Sequence, residues 1–334
     1  MQTFQFTRPG DVADAIAATG TARTEQPGTK IRFIAGGTTL IDLMKLNVEQ
    51  PDTLVDINHL PLAQVESLPE GGLKIGALVR NSDLAHHSVV QRDYSVLSQA
   101  LLSGASPQLR NKATTSGNLL QRTRCPYFRD TAMPCNKRDP GTGCAAINGV
   151  NRMMAILGTS EHCIASNPSD MNVALTALEA TIHLQNSQGV RSVPINEFYL
   201  LPGDTPQRET VMEPGDLITH VTLPSPVAGG KSVYLKLRDR ASYEFALASA
   251  AVIVTVENNR LTHVRIALGG VGAKPWRSVE AEQALTGATL GAPNFRKAAE
   301  AALQGARPQS QNGFKVELSK RCLTHALRLA TQTI

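Results

Sequence analysis

Aromatic side chains are scarce in this chain: one Trp, five Tyr and eight Phe make up 4% of its 334 residues, so its core must be aliphatic. No run of about 18 apolar residues occurs, which leaves no membrane-spanning helix to expect. The net charge of +5 is dispersed; basic residues form no long run and are not interleaved with aromatics, so nucleic acid is not an expected partner. The basic surplus reads instead as solvated surface or as a docking face for an acidic partner. Met1 to Pro9 lacks the charged-then-apolar order of a secretory signal, so export is expected only alongside a partner that carries one. The five cysteines include no C-x₂₋₄-C pair, the spacing that grips one edge of a zinc tetrahedron.

What is present is the balance of a folded protein, 42% apolar and 18% charged, and its length implies two or three compact units at about 150 residues each. Pro224-Ser225-Pro226 followed by Gly229-Gly230 reads as a linker, which divides the chain into 1–224 and 229–334, with a further division of the first part near residue 60. The expected class is α+β.

Phe4 to Phe6 reads as a strand, Asp11 to Thr19 as a helix and Ile31 to Ala35 as a buried strand. Gly36-Gly37 then makes a tight turn, and Thr38 is expected to cap a helix carrying Leu40, Ile41, Leu43, Met44 and Leu46. With a strand at Thr53 to Ile57, this is a small βαβ-like unit. Strand, glycine turn and helix start suit a phosphate, because glycine lets the backbone approach and free N–H groups face the anion. An ordinary strand-to-helix turn uses the same residues.

A strand at Leu73 to Leu78, helices at Ser82 to His86 and Tyr94 to Leu102, and a helix capped by Pro168-Ser169-Asp170-Met171 follow. Thr181 to Pro194 reads as a hairpin turning at Asn186 to Gly189, and Leu217 to Leu223 as a strand. Strands at Ser232 to Leu237, Ala246 to Val256 and Leu261 to Leu268, a glycine loop Gly269-Gly270-Val271-Gly272-Ala273-Lys274-Pro275, and three helices ending in Lys315 to Ala330 complete the chain. This last part is expected to be an antiparallel sheet with helices on one face, and Cys322 a buried, inert thiol.

Four cysteines, Cys125, Cys135, Cys144 and Cys163, fall in a segment rich in Arg, Pro and Gly with weak periodicity, just after Lys112-Ala113-Thr114-Thr115-Ser116-Gly117-Asn118. Three readings are open: disulfides in an oxidising compartment, a zinc site, or a [4Fe–4S] cluster. The nine, eight and eighteen intervening residues suit a loop wrapping a larger object, one thiolate per iron. Nearby arginines and Lys137 would offset the negative charge of such a cluster.

Taken together, these motifs resemble the FAD-binding subunits of the molybdenum hydroxylases, the xanthine dehydrogenase and aldehyde oxidase family. Arg32, Phe33, Ile34, Ala35, Gly36, Gly37, Thr38, Thr39 and Leu40 look like the first flavin-diphosphate loop, and Thr114, Thr115, Gly117 and Asn118 like the second. Asp170 matches an aspartate that contacts the flavin side chain, and Lys274 a lysine near the flavin. The cysteine insertion, at about 120–165, resembles that of the [4Fe–4S]-containing FAD subunits of bacterial periplasmic aldehyde oxidoreductases, which implies cluster ligation by Cys125, Cys135, Cys144 and Cys163.

The resemblance implies a two-part FAD-binding domain of the vanillyl-alcohol-oxidase/PCMH type and a C-terminal domain of the CO dehydrogenase flavoprotein type. It implies two partners, a large molybdenum-cofactor subunit that oxidises aldehyde to carboxylic acid and a small [2Fe–2S] subunit that relays electrons. This chain would pass them through FAD to an external acceptor and would hold no substrate-oxidising residue. Its compartment would be the periplasm by co-export, with the cytoplasm as the alternative. Tyr243 would lie near the isoalloxazine or serve in packing. The other readings are a self-contained flavin reductase on the same fold and a zinc-stapled scaffold.

Overall fold

The computed structural model describes residues 1–20 and 31–332. Strands β1 (Gln5–Thr7), β2 (Ile31–Ile34) and β3 (Thr53–Asp56) form a parallel sheet in the order β1-β3-β2, with helix Leu40–Lys45 as the crossover between β2 and β3. Its core is aliphatic: Ala15 and Ile16 pack with Val55, Ile57 and Leu60. The crossover helix begins later than the sequence suggests. Thr39, not Thr38, stands at the cap and makes no side-chain capping bond, because the Ile41 amide is already satisfied by the Gly37 carbonyl at 3.0 Å. Only Leu43 and Met44 of its apolar residues are fully buried; Ile41 and Leu46 remain more than a third exposed, at 38% and 37%.

Strands β4 (Val65–Ser67), β5 (Leu73–Gly76), β6 (Thr181–Asn186), β7 (Gly189–Pro194) and β8 (Leu217–Leu223) make an antiparallel sheet in the order β4-β5-β8-β6-β7. Helices Ser95–Ser103 and Asp170–Ala177 cover it, with Leu97, Leu101, Val173 and Leu175 in one core with Ile75, Ile182 and Val221. Ser169 caps the second helix, its hydroxyl accepting from the Asn172 amide at 3.1 Å. The edge strand β4 is too short to show an alternating pattern, which is why periodicity passes over it.

Strands β9 (Lys231–Leu237), β10 (Ala248–Glu257), β11 (Arg260–Gly269) and β12 (Trp276–Arg277) form the last antiparallel sheet, order β12-β11-β10-β9. Helices Val279–Leu285, Ala292–Ala302 and Phe314–Thr331 lie on one face. In β10, Ala248, Ala250, Val252 and Val254 face those helices, while the intervening Ala251 and Ile253 join the core beneath the five-stranded sheet. A strand buried on both sides reads as a continuous small and β-branched run. Cys322 sits in the helix-side core, buried as expected, and burial pushes its thiol up to about 12.

Leu327 is fully buried against this sheet. Leu327→Ala should cost about 2–5 kcal/mol in urea unfolding. A loss below about 0.5 kcal/mol, typical of surface changes, would contradict this packing.

Candidate cofactor site

The glycine turn after β2 and the threonine-rich segment meet backbone to backbone. A Cβ on Gly36 would lie 2.9 Å from the Lys112 carbonyl carbon and 3.1 Å from Ala113 Cα, so no side chain fits at that position. Gly37 adopts φ +73°, a left-handed value that favours glycine. The second segment is pinned to the start of the five-stranded unit: Thr115 N donates to the Val79 carbonyl and Ser116 N to that of Ala77, both at 2.9 Å. Thr114 Oγ1 accepts from Gly117 N at 3.2 Å and starts the short helix Thr115–Leu119.

Between these segments runs a cleft of about 180 Å³. Every residue from Arg32 to Leu40 lines it, as do Thr114 and Gly117. Thr115 does not; it is buried, its hydroxyl donating to the Val79 carbonyl at 3.2 Å. Asn118 stands behind the wall, where its Oδ1 accepts from Ser169 Oγ at 2.7 Å. Asp170 also lies outside the lining. Its carboxylate accepts from Tyr234 Oη at 2.6 Å and Lys236 Nζ at 2.8 Å, and so ties the helix it begins to β9. Lys274 Nζ donates to the carbonyls of Asn196 and Tyr199 at 3.1 and 3.4 Å, leaving its neighbour Ala273 at the cleft. Burial holds the Lys274 ammonium below its usual range. Tyr243 is 56% exposed and outside the lining.

The cleft also contains two carboxylates, Glu49 and Glu209, and a set of ion pairs that sequence reading passed over. Arg32 Nη2 donates to Glu49 at 2.8 Å, and the other oxygen of Glu49 accepts from Arg122 Nη1 at 2.6 Å. Arg122 reaches Glu209 through Nε and Nη2, at 3.2 and 2.9 Å, and Lys137 Nζ stands 3.3 Å from the same Glu209 oxygen. This makes one row of alternating charge, all of it in the cleft wall. Gln207 Oε1 and Arg208 Nε, also in the wall, are buried atoms without a protein partner. No local signal marks these residues, since the partners are 73 and 87 positions apart.

Cys125, Cys135 and Cys163 are buried and Cys144 half-buried, all as free thiols, which removes the disulfide reading. The four line one small cavity together with Phe128, Lys137 and His162. Among the described residues, no three His, Cys, Asp or Glu side chains converge closely enough to hold a single metal ion. Burial pushes the Cys125 thiol up to about 12 and raises that of Cys163. Lys137 and Cys163 line both this cavity and the cleft.

Residues 2–226 match the family model for the FAD binding domain in molybdopterin dehydrogenase, and residues 233–330 that for the CO dehydrogenase flavoprotein C-terminal domain. The chain belongs to the FAD-binding subunits of the molybdenum hydroxylases. It is 50% identical over 328 residues to the aldehyde oxidoreductase FAD-binding subunit PaoB of Escherichia coli K12, covering 98% of each chain. It is 30% identical to the glyceraldehyde dehydrogenase medium chain of Sulfolobus acidocaldarius, over 78% of this chain and 74% of that one. The structure of carbon monoxide dehydrogenase from Hydrogenophaga pseudoflava lacking the Mo-pyranopterin moiety superposes with a TM-score of 0.76 at 25% identity, covering 98% and 97% of the two chains. This chain is therefore an oxidoreductase subunit of a molybdenum hydroxylase complex, and its relatives in Sulfolobus acidocaldarius and Hydrogenophaga pseudoflava are named medium chains. No helix among its described residues is long and apolar enough to cross a membrane.

The cleft suits FAD chemically. The glycine turn leaves room for close backbone approach, and the unpartnered atoms of Gln207 and Arg208 offer polar contacts. Gly36→Ala should force the two segments apart, and the purified FAD subunit should lose most of its flavin while its far-ultraviolet circular dichroism is unchanged. Full flavin occupancy in that variant would contradict the close approach.

Burial alone would raise the Glu209 carboxyl, but Arg122 and Lys137 outweigh it and hold it at about 2 against an ordinary 4.5. Because the folded value is depressed, its contribution to stability is complete above about pH 4.5 and is lost as pH falls toward 2. Glu209→Gln should flatten the pH dependence of urea unfolding across that window; slopes equal to wild type would count against the row.

Proposed function

We infer that this subunit holds FAD in the cleft and a [4Fe–4S] cluster on Cys125, Cys135, Cys144 and Cys163. On this reading it takes electrons from a small [2Fe–2S] partner and delivers them to an external acceptor. On the same reading the large partner's molybdenum centre would supply oxidation of an aldehyde to a carboxylic acid, with water giving the added oxygen and two electrons and two protons released. The observation that carries the reading is the shared wall: Lys137 and Cys163 belong at once to the flavin cleft and to the cysteine cavity. Four thiols around one cavity are the donor set of a cluster in which each iron takes one thiolate, and Lys137 would balance part of the thiolate charge. The aldehyde substrate is supported by the 50% identity to an aldehyde oxidoreductase subunit.

FAD, when bound, supplies the exchange between two-electron and one-electron carriers. The chain's own residues bind and orient. The Gly36 turn and Thr114 to Gly117 form the two rims of the cleft, and Arg32 and Arg122 place fixed positive charge in its wall. Asp170 is proposed to act through its neighbours: held by Lys236 and Tyr234, it fixes the start of the helix that follows the cleft-lining Ser166, Asn167 and Pro168. Lys274 fixes Ala273 at the cleft in the same indirect way. The reading also puts the complex in the periplasm, exported with a signal-bearing partner. Recovery of the assembled complex only from the cytoplasmic fraction would refute that placement.

The purified complex should carry one FAD per copy of this subunit and about four irons beyond those of its [2Fe–2S] partner. Cys135→Ser should remove those four irons and leave the partner's, read by elemental analysis. Zinc in place of iron in the wild-type protein would overturn the cluster.

A further inference from the structure

We propose that the ion-pair row Arg32, Glu49, Arg122, Glu209 and Lys137 couples FAD binding to cluster assembly, so that each group strengthens retention of the other. The inference rests on the two-cofactor reading above and assigns the coupling to particular side chains.

The row joins three parts of the chain that are separate in sequence. Arg32 and Glu49 belong to the βαβ unit, Glu209 to the loop after helix Ile195–Phe198, and Arg122 and Lys137 to the cysteine insertion. Arg122 is the joint. It spans Glu49 and Glu209, and its guanidinium lies 4.5 Å from the centre of the Phe128 ring, which lines the cysteine cavity. Lys137 closes the row and donates to the Pro206 carbonyl at 2.9 Å, next to the cleft-lining Gln207.

The charge balance explains why docking of the insertion matters to an anionic cofactor. With the insertion in place, the row sets three cations against two carboxylates, one net positive charge within the row. With the insertion released, the row keeps Arg32, Glu49 and Glu209, and its balance turns to one net negative charge. Losing two positive charges weakens the attraction of the wall for a diphosphate. Buried carboxylates stripped of their cations are also costly, which favours the docked insertion whenever the cleft is filled. Coupling of this kind is reciprocal: what the cluster contributes to FAD affinity, FAD contributes to cluster retention.

A second ion-pair set provides an internal control. Asp42 accepts from Arg124 at 3.2 Å and from Arg129 at 2.8 Å, which also ties the insertion to the crossover helix. Asp42 is 38% exposed and lies outside the cleft lining, so solvent screens it and it cannot set the charge of the wall.

The experiment uses the assembled complex with FAD removed and titrated back, with the dissociation constant followed by flavin fluorescence. Cluster removal, by Cys135→Ser and independently by anaerobic iron chelation of the wild-type complex, should weaken FAD binding about tenfold, within the usual range of coupling energies. In an Arg122→Gln/Lys137→Gln background, where docking of the insertion no longer changes the charge of the row, the same removal should change FAD affinity far less, whereas in an Asp42→Asn background it should act as in wild type. FAD affinity indifferent to cluster loss in both preparations, or an undiminished effect in Arg122→Gln/Lys137→Gln, would overturn the coupling alone. A wild-type complex lacking iron at the four cysteines would instead overturn the two-cofactor reading.

Discussion

The site depends on one close approach. At Gly36 the turn after the first sheet comes so near the Lys112 and Ala113 backbone that no side chain fits between them. That contact brings the βαβ unit and the five-stranded unit together along two facing segments, and the cleft is the space left beside it. The cleft residues owe their placement to this seam: Arg32 to Leu40 form one side, Thr114 and Gly117 the other. The cysteine insertion then starts directly after the second segment and folds back over the same wall, so Cys163 reaches the cleft from the far end of the loop.

The C-terminal unit frames this seam. Strand β10 contributes alternate residues to two cores, so the last sheet is packed against the FAD-binding part as well as onto its own helices. The buried pair of Asp170 and Lys236 crosses the same boundary. Lys315 reinforces it from another direction: its ammonium donates to the carbonyls of Met153, Met154 and Gly270, at 3.2, 3.0 and 2.7 Å. Burial lowers that ammonium to about 7. The Met153–Met154 stretch of the cysteine insertion and the glycine loop before Lys274 are thus held by one side chain.

Much of the secondary structure was legible because aliphatic periodicity is strong where strands are half or fully buried. The strand Leu217–Leu223, the hairpin at Asn186 to Gly189 and the terminal helix all follow from local pattern. The resemblance identified the family and the glycine loops. Local pattern was less informative where cleft geometry decides the side chain's role. Thr114 and Thr115 are adjacent and chemically alike, yet one faces the cleft and the other bonds to Val79. Asp170 and Lys274 sit beside the cleft-lining stretches but spend their charge and donors on neighbouring elements. The charged row was invisible for a simpler reason: Glu49, Arg122 and Glu209 are single charged residues in aperiodic segments, and only the folded chain brings them together.

The central claim is that one chain holds a flavin and an iron–sulfur cluster against a common wall. Crystals of the purified complex measured on both sides of the iron absorption edge test it most directly. The account predicts an iron anomalous peak enclosed by Cys125, Cys135, Cys144 and Cys163, and flavin density between Gly36-Gly37 and Thr114 to Gly117. A zinc peak at the cysteines, or flavin bound away from that seam, would contradict it.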